Sequence, residues 1–325
     1  MKLRVAVVYG GRSGEHEISL RSAETVMKSL DPERYQIIQY FISKEGRWKP
    51  RTLVPEPHAN PEIDVVFPVL HGTFGEDGTI QGLFEMAGLP YVGCGVLASS
   101  LAMDKEMAKR VLGGHGVLTA EYVTIFRENL DPAEALRNLT FPMFVKPANL
   151  GSSVGISKVK DEAELRAALA EAAQYDRKVI VERGIIGKEL ETAVLGNDLA
   201  EAAIPCQIIP SREFYDYEDK YLLDKAKILL PAPIGDEKTA ELRTIAVKAY
   251  KALGCEGMAR VDFLLEESTG RLYLNEINTI PGFTSISMFP KMWENMGLPI
   301  GKLIDRLIEL ALERDRQKKA TKFTK

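Results

Sequence analysis

The sequence predicts a mixed α/β and α+β protein that begins with an open parallel sheet. Apolar strands alternate with helices near the N-terminus, with strands expected at 3–9, 36–42 and 64–70 and helices at 18–30 and 78–87. Further on the pattern becomes strand-rich, with strands expected at 179–182, 189–195 and 201–209. Near the C-terminus two apolar strands flank a turn at 267–271, which predicts a hairpin.

Length and composition indicate two or three domains. The chain has 325 residues, enough to bury more than one core. Its formal net charge of −4 leaves no basic excess for coating nucleic acid, and Lys and Arg are dispersed up to a basic C-terminal tail. We therefore expect no nucleic-acid partner.

Neither a targeting segment nor a membrane span is expected. The apolar run 5–9 is too short for a signal-peptide core, and no stretch approaches the length of a membrane helix. Cys94, Cys206 and Cys255 are far apart and odd in number, which favours reduced thiols in a cytoplasm over a disulfide framework.

Three regions are predicted. The first, 1–97, contains the parallel sheet. The second, 98–181, is a small α+β domain with a helix at 98–112, strands at 121–125 and 143–146 and a helix at 162–173. The third, 182–325, has helices at 236–253 and 300–314 before a frayed basic tail. The polar and aromatic segment 211–221 is too long for a simple connector, so a functional lid is predicted at about 210–228.

The C-terminal hairpin carries the clearest chemical signal. A turn centred on residue 269 sets three pairs opposite each other: Arg260 with Asn278, Asp262 with Glu276, and Glu267 with Arg271. Asp262 and Glu276, about 5 Å apart, repel unless a cation or proton lies between them. Oxygen ligands from Asp, Glu and Asn suit Mg²⁺ that also binds substrate phosphates. The hairpin therefore predicts a nucleotide-using enzyme.

Two further segments could bind a nucleotide. Lys146 ends a predicted strand, and the Gly- and Ser-rich loop after it could donate backbone N–H groups to phosphates. It is not the GxxxxGK[ST] loop, and a flexible surface hairpin is the alternative. Residues 179–185 could line an adenine pocket with Glu182 at its edge, although a buried strand with a charged end explains that pattern equally well.

Glu15 and His71 follow the ends of predicted parallel strands, where ligands of open sheets bind. Glu15 could pair with a substrate amine beside a helix N-terminus, or be a solvated acid near a helix start. His71 could hydrogen-bond to substrate or satisfy a turn.

Six ordered motifs resemble the D-alanine–D-alanine ligase family of the ATP-grasp superfamily. They are GG-x-S-x-E-x-E-[IV]-S at 10–19, HG-x-x-GEDG-x-[IL]-QG at 71–82, MDK at 103–105, the GSSVG loop at 151–155, EFYDYE-x-KY at 213–221, and R-[IV]-D with N-x-x-PGFTS through 285. The resemblance spans nearly the whole chain. It implies an ATP-grasp fold with a Rossmann-like N-terminal domain, and a homodimer.

The resemblance also implies roles for matched positions. ATP and two Mg²⁺ ions, for which Mn²⁺ can substitute, are the implied cofactors. Lys105 and Lys146 are expected at the ATP phosphates; Glu182, Arg183, Ile185 and Glu189 around adenine and ribose; and Asp262, Glu276 and Asn278 at the metals.

For D-alanine, the implied substrate, the resemblance gives a second set of roles. Glu15 takes the ammonium of the first D-alanine in a closed-lid network with Ser152 and Tyr221, and Lys220 reaches the γ-phosphate from the lid. Arg260 and the Gly282 backbone stabilise the oxyanion, Ser287 and Met288 receive the second carboxylate, and His71 joins the substrate set.

Two positions depart from the family pattern, and one position separates its members. Arg183 stands where many relatives have Lys, and Met288 where many have Leu. Tyr221 stands where relatives that make the D-lactate ester usually have Phe, so a peptide-forming member is expected. The alternatives are a sister ligase that uses D-lactate or D-serine, and a non-enzymatic nucleotide-binding module. Such a module would have lost a metal carboxylate or Arg260, and this chain keeps both.

Overall fold

The computed structural model describes residues 2–151, 154–209 and 227–322. Within these ranges the strands form three sheets, each with helices packed against it. No helix in the same ranges is both long and apolar enough to cross a membrane.

The N-terminal sheet is the open parallel sheet that the sequence predicts. Its strands are β1 (Leu3–Gly10), β2 (Tyr35–Ile42), β3 (Trp48–Lys49) and β4 (Val65–Val69), in the order β3-β2-β1-β4. Both β2 and β4 are parallel to β1, whereas β3, which was not predicted, is antiparallel to β2. All five residues of β4 are buried, and its Pro68 is tolerated because β4 ends the sheet.

Helices α1 (His16–Ser29) and α2 (Thr79–Met86) follow β1 and β4, as predicted. The single helix predicted at 98–112 is wrong, because two helices stand there: α3 (Val96–Met103) and α4 (Lys105–Gly114). Asp104 separates them, since its backbone is extended (φ −80°, ψ 99°) and its side chain caps α4 by accepting a hydrogen bond from the Met107 N–H. The break places Lys105 in the first turn of α4.

A small antiparallel sheet follows. Its strands are β5 (Tyr122–Phe126), β6 (Met143–Pro147), β7 (Ser157–Val159) and β8 (Lys178–Arg183), in the order β5-β8-β6-β7, and its helices are α5 (Ala133–Asn138) and α6 (Glu162–Tyr175). The side chain of Asp161 caps α6 by accepting from the Glu164 N–H. Leu165 and Leu169 of α6 pack on Met143 and Val145 of β6 in one buried core.

The large sheet carries the hairpin. Its strands are β9 (Gly187–Leu195), β10 (Glu201–Ala202), β11 (Cys206–Ile209), β12 (Lys227–Leu229), β13 (Met258–Glu266) and β14 (Leu272–Asn278), in the order β12-β11-β9-β13-β14 with β10 beside β9. The single strand predicted at 201–209 is wrong, because Pro205, which has no N–H, lies between β10 and β11. Helix α7 (Asp236–Ala252) buries Leu242 and Tyr250 against this sheet.

The C-terminal helices join the first sheet to the large one. They are α8 (Met288–Asn295) and α9 (Ile300–Lys319), and α9 runs past its predicted end at 314 into the tail that was expected to fray. One core contains residues of α1, β1 and β4 together with α8, α9 and β9. In it the Phe67 ring meets the Phe283 ring edge-on at 5.9 Å. This packing holds the carboxyl edge of the parallel sheet beside the end of β14.

We expect Asp305→Ala to weaken that junction. Asp305, on α9, is 8% exposed and accepts hydrogen bonds from the Tyr35 hydroxyl (2.8 Å) and from Arg34. Removing a buried acceptor leaves its donors unpaired, which costs about 1–3 kcal/mol. Calorimetry should show a lower melting temperature than for Glu309→Ala, which removes an exposed carboxylate from the same helix. Equal melting temperatures would contradict this expectation.

Candidate active site

The hairpin of β13 and β14 has the predicted register at one end only. Arg260 lies opposite Asn278 and Asp262 opposite Glu276, as predicted. The predicted pair of Glu267 with Arg271 is wrong. The Glu266 N–H donates to the Arg271 carbonyl at 2.9 Å, so Glu266 takes the place expected for Glu267. The register shifts by one residue after Asp262, where a β-bulge leaves Asn275 without an opposite residue.

The bulge changes which side chains reach the cleft. Strict alternation sends Asn275 and Glu276 to opposite faces, but both line the same cleft. The Asn275 Oδ1 atom lies 3.4 Å from the Lys146 Nζ atom. No role was predicted for Asn275, and its only signal is a polar residue where the apolar face of β14 is expected.

A row of carboxylates crosses three strands beside Arg260. Asp262 on β13 lies between Glu191 on β9 and Glu276 on β14. The Arg260 guanidinium donates to both oxygens of Asp262 (2.8 and 2.6 Å) and lies 3.4 Å from Glu191. Burial alone would lower the pKa of Arg260, but these carboxylates raise it well above its ordinary value. Sequence reasoning missed Glu191, although Glu189 and Glu191 alternate with apolar residues in β9.

The oxygen donors at this end of the hairpin suit a hard cation. Asp262 and Glu276 lie opposite each other, and Asn278 follows two residues later with its Oδ1 accepting from the Ile280 N–H at 3.1 Å. Among the described residues no group of three or more His, Cys, Asp and Glu side chains is arranged to hold a metal ion. The set has two carboxylates and an amide, which fits Mg²⁺ because that ion completes its shell with water and phosphate oxygens.

Glu15 reaches this region from the N-terminal sheet. It directly precedes α1, is 9% exposed and lines one cleft with Arg260, Glu276 and Asn278. Ser13 holds its loop, because the Ser13 hydroxyl donates to the His71 carbonyl (2.6 Å) and accepts from the Glu15 N–H (3.1 Å). The carboxylate therefore occupies a constrained position at a helix N-terminus.

His71 lines the same cleft but is held by protein atoms on both sides. Its Nδ1 lies 2.9 Å from the Ile280 carbonyl oxygen, and its Nε2 lies 3.0 Å from the Ser22 hydroxyl. Burial lowers the pKa of His71. The neutral ring therefore links the N-terminal sheet to the loop after β14, and a contact with substrate stays a prediction.

Glu76 is a buried acid that the motif contained without a predicted role. Its Oε2 accepts from the Gly72 N–H (2.9 Å), and its Oε1 has no hydrogen-bond partner in the described part of the chain. Burial raises the pKa of Glu76 well above its ordinary value, and the charge of Glu15 raises it further. Burial therefore disfavours the charged form of Glu76 beside Glu15.

The far wall of the cleft is the loop that leads into α8. A side chain at Gly282 would place its Cβ 2.7 Å from the Ser287 hydroxyl oxygen, so this close approach needs glycine. The Ser287 hydroxyl also accepts from the Thr284 N–H (2.9 Å). Met288 begins α8 and lines the cleft, so the N-terminus of that helix lies at the cleft wall.

A second, larger cleft adjoins the first, with a volume of about 280 Å³ against 120 Å³. Lys146 on β6 is bound there to the Glu182 Oε2 atom (2.7 Å). The Lys105 Nζ donates to the Leu150 carbonyl (2.6 Å), and the Lys105 N–H donates to Ala148 (3.0 Å). These contacts fix α4 against the start of the Gly- and Ser-rich loop.

The rest of the predicted adenosine set lines this second cleft. Arg183 donates to Glu121 (2.6 Å) and to Glu266 (2.8 Å), and these carboxylates raise its pKa although burial opposes them. Ile185 is buried, and Glu189 lies on β9. Ser152, Lys220, Tyr221 and the predicted lid up to residue 226 lie outside the described residues.

The chain matches known sequence families over almost its full length. A family described as D-ala D-ala ligase C-terminus matches residues 111–309, and one described as D-ala D-ala ligase N-terminus matches residues 4–60 and 50–94. A D-alanine–D-alanine ligase of Solibacter usitatus is 62% identical over 325 residues, which is 100% of both chains. One from a Thermoanaerobacter species is 48% identical, with 98% of both chains covered.

Solved structures agree with these matches. A D-Ala:D-Ser ligase from Enterococcus faecalis has a TM-score of 0.88 and 39% identity, covering 96% of this chain and 100% of that one. A D-alanine–D-alanine ligase from Coxiella burnetii has a TM-score of 0.88 and 37% identity, covering 98% and 96%. The chain therefore belongs to the D-alanine–D-alanine ligase family, with the ATP-grasp fold.

Proposed function

We propose that the chain joins two D-alanine molecules into D-alanyl-D-alanine at the expense of ATP, releasing ADP and phosphate, for peptidoglycan precursor synthesis. The observation that carries the proposal is the meeting of the two clefts. Lys105, Glu191 and Glu276 line both, so a nucleotide in the larger cleft would present its terminal phosphate to an amino acid in the smaller one. Named relatives of this activity, up to 62% identical over the full chain, support it.

The reaction needs activation because a carboxylate is a poor acyl donor. In the proposed sequence the carboxylate of the first D-alanine attacks the γ-phosphate of ATP and forms an acyl phosphate. The amine of the second D-alanine then attacks the acyl carbon, and phosphate leaves. Glu15 would hold the first ammonium, while Arg260 and the Gly282 backbone would stabilise the oxyanion.

The second D-alanine would bind with its carboxylate at Ser287 and the backbone of Met288. The start of α8 supports this, because helix N-terminal N–H groups favour anions. His71 would support the substrate through the loops that it joins. We assign Ser152 and Tyr221 to a network with Glu15, and Lys220 to the γ-phosphate, on the family motif alone.

In the larger cleft Lys105 and Lys146 would bind the ATP phosphates, and Glu182, Arg183, Ile185 and Glu189 would surround the adenosine. Asp262, Glu276 and Asn278 would hold two Mg²⁺ ions, with Mn²⁺ as a substitute. Bound metal ions neutralise charge on the transferring phosphate. Arg260 balances part of the carboxylate row, and metal ions at Asp262 and Glu276 would add positive charge beside it.

A sister activity with D-serine or D-lactate as second substrate is the alternative. The solved D-Ala:D-Ser ligase, 39% identical, supports keeping it. D-alanine is preferred because the more similar relatives carry the D-alanine–D-alanine name, and because Tyr221 replaces the Phe of ester-forming relatives.

We also propose a homodimer in the cytoplasm, with domains at 1–97, 98–181 and 182–325 and a lid at about 210–228. Exposed apolar side chains at the start of α3 support a contact between copies, since Val96 and Leu97 are 39% and 68% exposed. The three cysteines are free and buried, which suits a reducing compartment.

Phosphate release tests the substrate. With Mg²⁺ and ATP, we expect D-alanine alone to support turnover and L-alanine to give only background release. Adding D-lactate or D-serine at neutral pH should add no mixed product detectable by chromatography. No turnover with D-alanine would contradict the proposed function, and a dominant mixed product would favour the sister activity.

Glu276→Gln tests the metal assignment. It removes a charge with little change in shape, so we expect turnover to fall at least about a hundredfold with an unchanged melting temperature. Glu267→Gln is the matched control, because Glu267 is exposed at the far end of the same hairpin. Normal Mg²⁺-dependent turnover in Glu276→Gln would overturn the assignment.

Size-exclusion chromatography tests the dimer. We expect an elution mass near twice that of the 36.1 kDa chain. Leu97→Lys should shift the protein towards monomer, while Leu199→Lys, at a site 91% exposed, should not. A monomeric wild-type chain would contradict the dimer, and a dimeric Leu97→Lys protein would move the interface away from α3.

A further inference from the structure

Lys109 is a buried lysine behind the nucleotide cleft, and no motif gives it a role. It lies one turn after Lys105 on α4, and its side chain is 3% exposed. Its Nζ lies 3.2 Å from the Glu182 Oε1 atom and 5.7 Å from the centre of the Tyr122 ring. That nitrogen has no hydrogen bond of good geometry within the described part of the chain. A buried ammonium is costly, so its ion pair with Glu182 needs an explanation.

Glu182 is shared between two lysines. Lys109 faces its Oε1, and Lys146 is bonded to its Oε2 at 2.7 Å. Burial alone would raise the pKa of Glu182, but the two lysines outweigh it and lower that pKa to about 2. Burial lowers the pKa of Lys109, and the Glu182 carboxylate opposes that lowering. The three side chains form one buried group in which two lysines share a single carboxylate.

The two lysines differ in their access to the nucleotide. Lys146 lines the larger cleft, whereas Lys109 does not. This inference rests on the proposed function, in which Lys146 binds ATP phosphates. When Lys146 does so, its ion pair with Glu182 weakens. A buried carboxylate that loses its cation is strongly destabilising. Lys109 already lies at the other oxygen of the same carboxylate, and among the residues that the structure describes no other hydrogen bond competes for its amine.

We propose that Lys109 is a positioning residue of the nucleotide site, which keeps the Glu182 carboxylate charged and in place when Lys146 turns to the ATP phosphates. Lys109 acts through Glu182 and does not touch the nucleotide. Its charge is what matters, so an uncharged side chain of similar length cannot replace it. If Glu182 is made neutral, the need for Lys109 disappears.

Titration calorimetry of the full chain with Mg²⁺ and the non-hydrolysable analogue AMP-PNP tests this. We expect Lys109→Met to weaken binding at least about tenfold. Lys109→Arg should keep most of the affinity, and Lys248→Met, which removes an exposed lysine of α7, should match wild type. In a Glu182→Gln background the further change Lys109→Met should have little effect, because no buried negative charge remains.

Two results would overturn the proposal. One is wild-type affinity in Lys109→Met; the other is an equal loss from Lys109→Met in both backgrounds, since a packing role does not depend on the charge of residue 182. Loss of AMP-PNP binding by the wild-type chain would instead contradict the proposed function. The two failures are therefore distinguishable.

Proton uptake gives a test that does not need the Lys109→Met protein to fold. In the described ranges, the charged or titratable groups that face Glu182 are Lys109 from α4, Lys146 from β6 and Tyr122 from β5. If Lys109 keeps Glu182 ionised, wild type and Glu182→Gln take up equal numbers of protons on binding AMP-PNP, measured in two buffers of different ionisation enthalpy. An extra proton taken up by wild type would mean that Glu182 is neutralised, and would overturn the proposal.

Discussion

The pairing of β13 with β14 between Arg260 and Asp262 is the constraint on which the candidate site depends. It sets Asp262 between Glu191 and Glu276 and holds Arg260 against that row. Three carboxylates this close are stable only with positive charge beside them. Arg260 supplies part of that charge, and the proposed Mg²⁺ ions would add to it.

The same pairing of buried opposite charges operates in the larger cleft. Lys146 and Lys109 share Glu182, and Arg183 is held between Glu121 and Glu266. Glu182 and Arg183 each have partners of opposite charge, so binding of ATP phosphates by Lys146 would require Lys146 to exchange Glu182 for phosphate. Such an exchange binds ligand well only if the displaced carboxylate keeps a second cation.

Packing of the N-terminal sheet on α8 and α9 brings Glu15, which is proposed to bind D-alanine, close to the charged residues of the large sheet. The contact of Phe67 with Phe283 and the hydrogen bonds of His71 to Ile280 and Ser22 place Glu15 across from Arg260. Burial raises the pKa of Glu76 in the same cleft well above its ordinary value, which disfavours a second negative charge beside Glu15. Substrate binding thus depends on a junction between residues far apart in the chain.

Much of this arrangement was predictable from sequence, because it follows from local patterns. Strand alternation and a turn suffice to pair Asp262 with Glu276, and alternating strands and helices suffice for the parallel sheet. The bulge at Asn275 and the break at Asp104 were not predictable, since each appears in the sequence only as one polar residue within a predicted strand or helix, which does not by itself specify a bulge or a helix break. Glu191, Glu76 and Lys109 were missed for another reason. Each is an ordinary charged residue in sequence, and only burial beside a particular partner from another element makes it part of the site. The sequence by itself determined the elements and the motif residues, whereas the tertiary structure decided which charges are buried together, because burial and distance set the strength of their interaction.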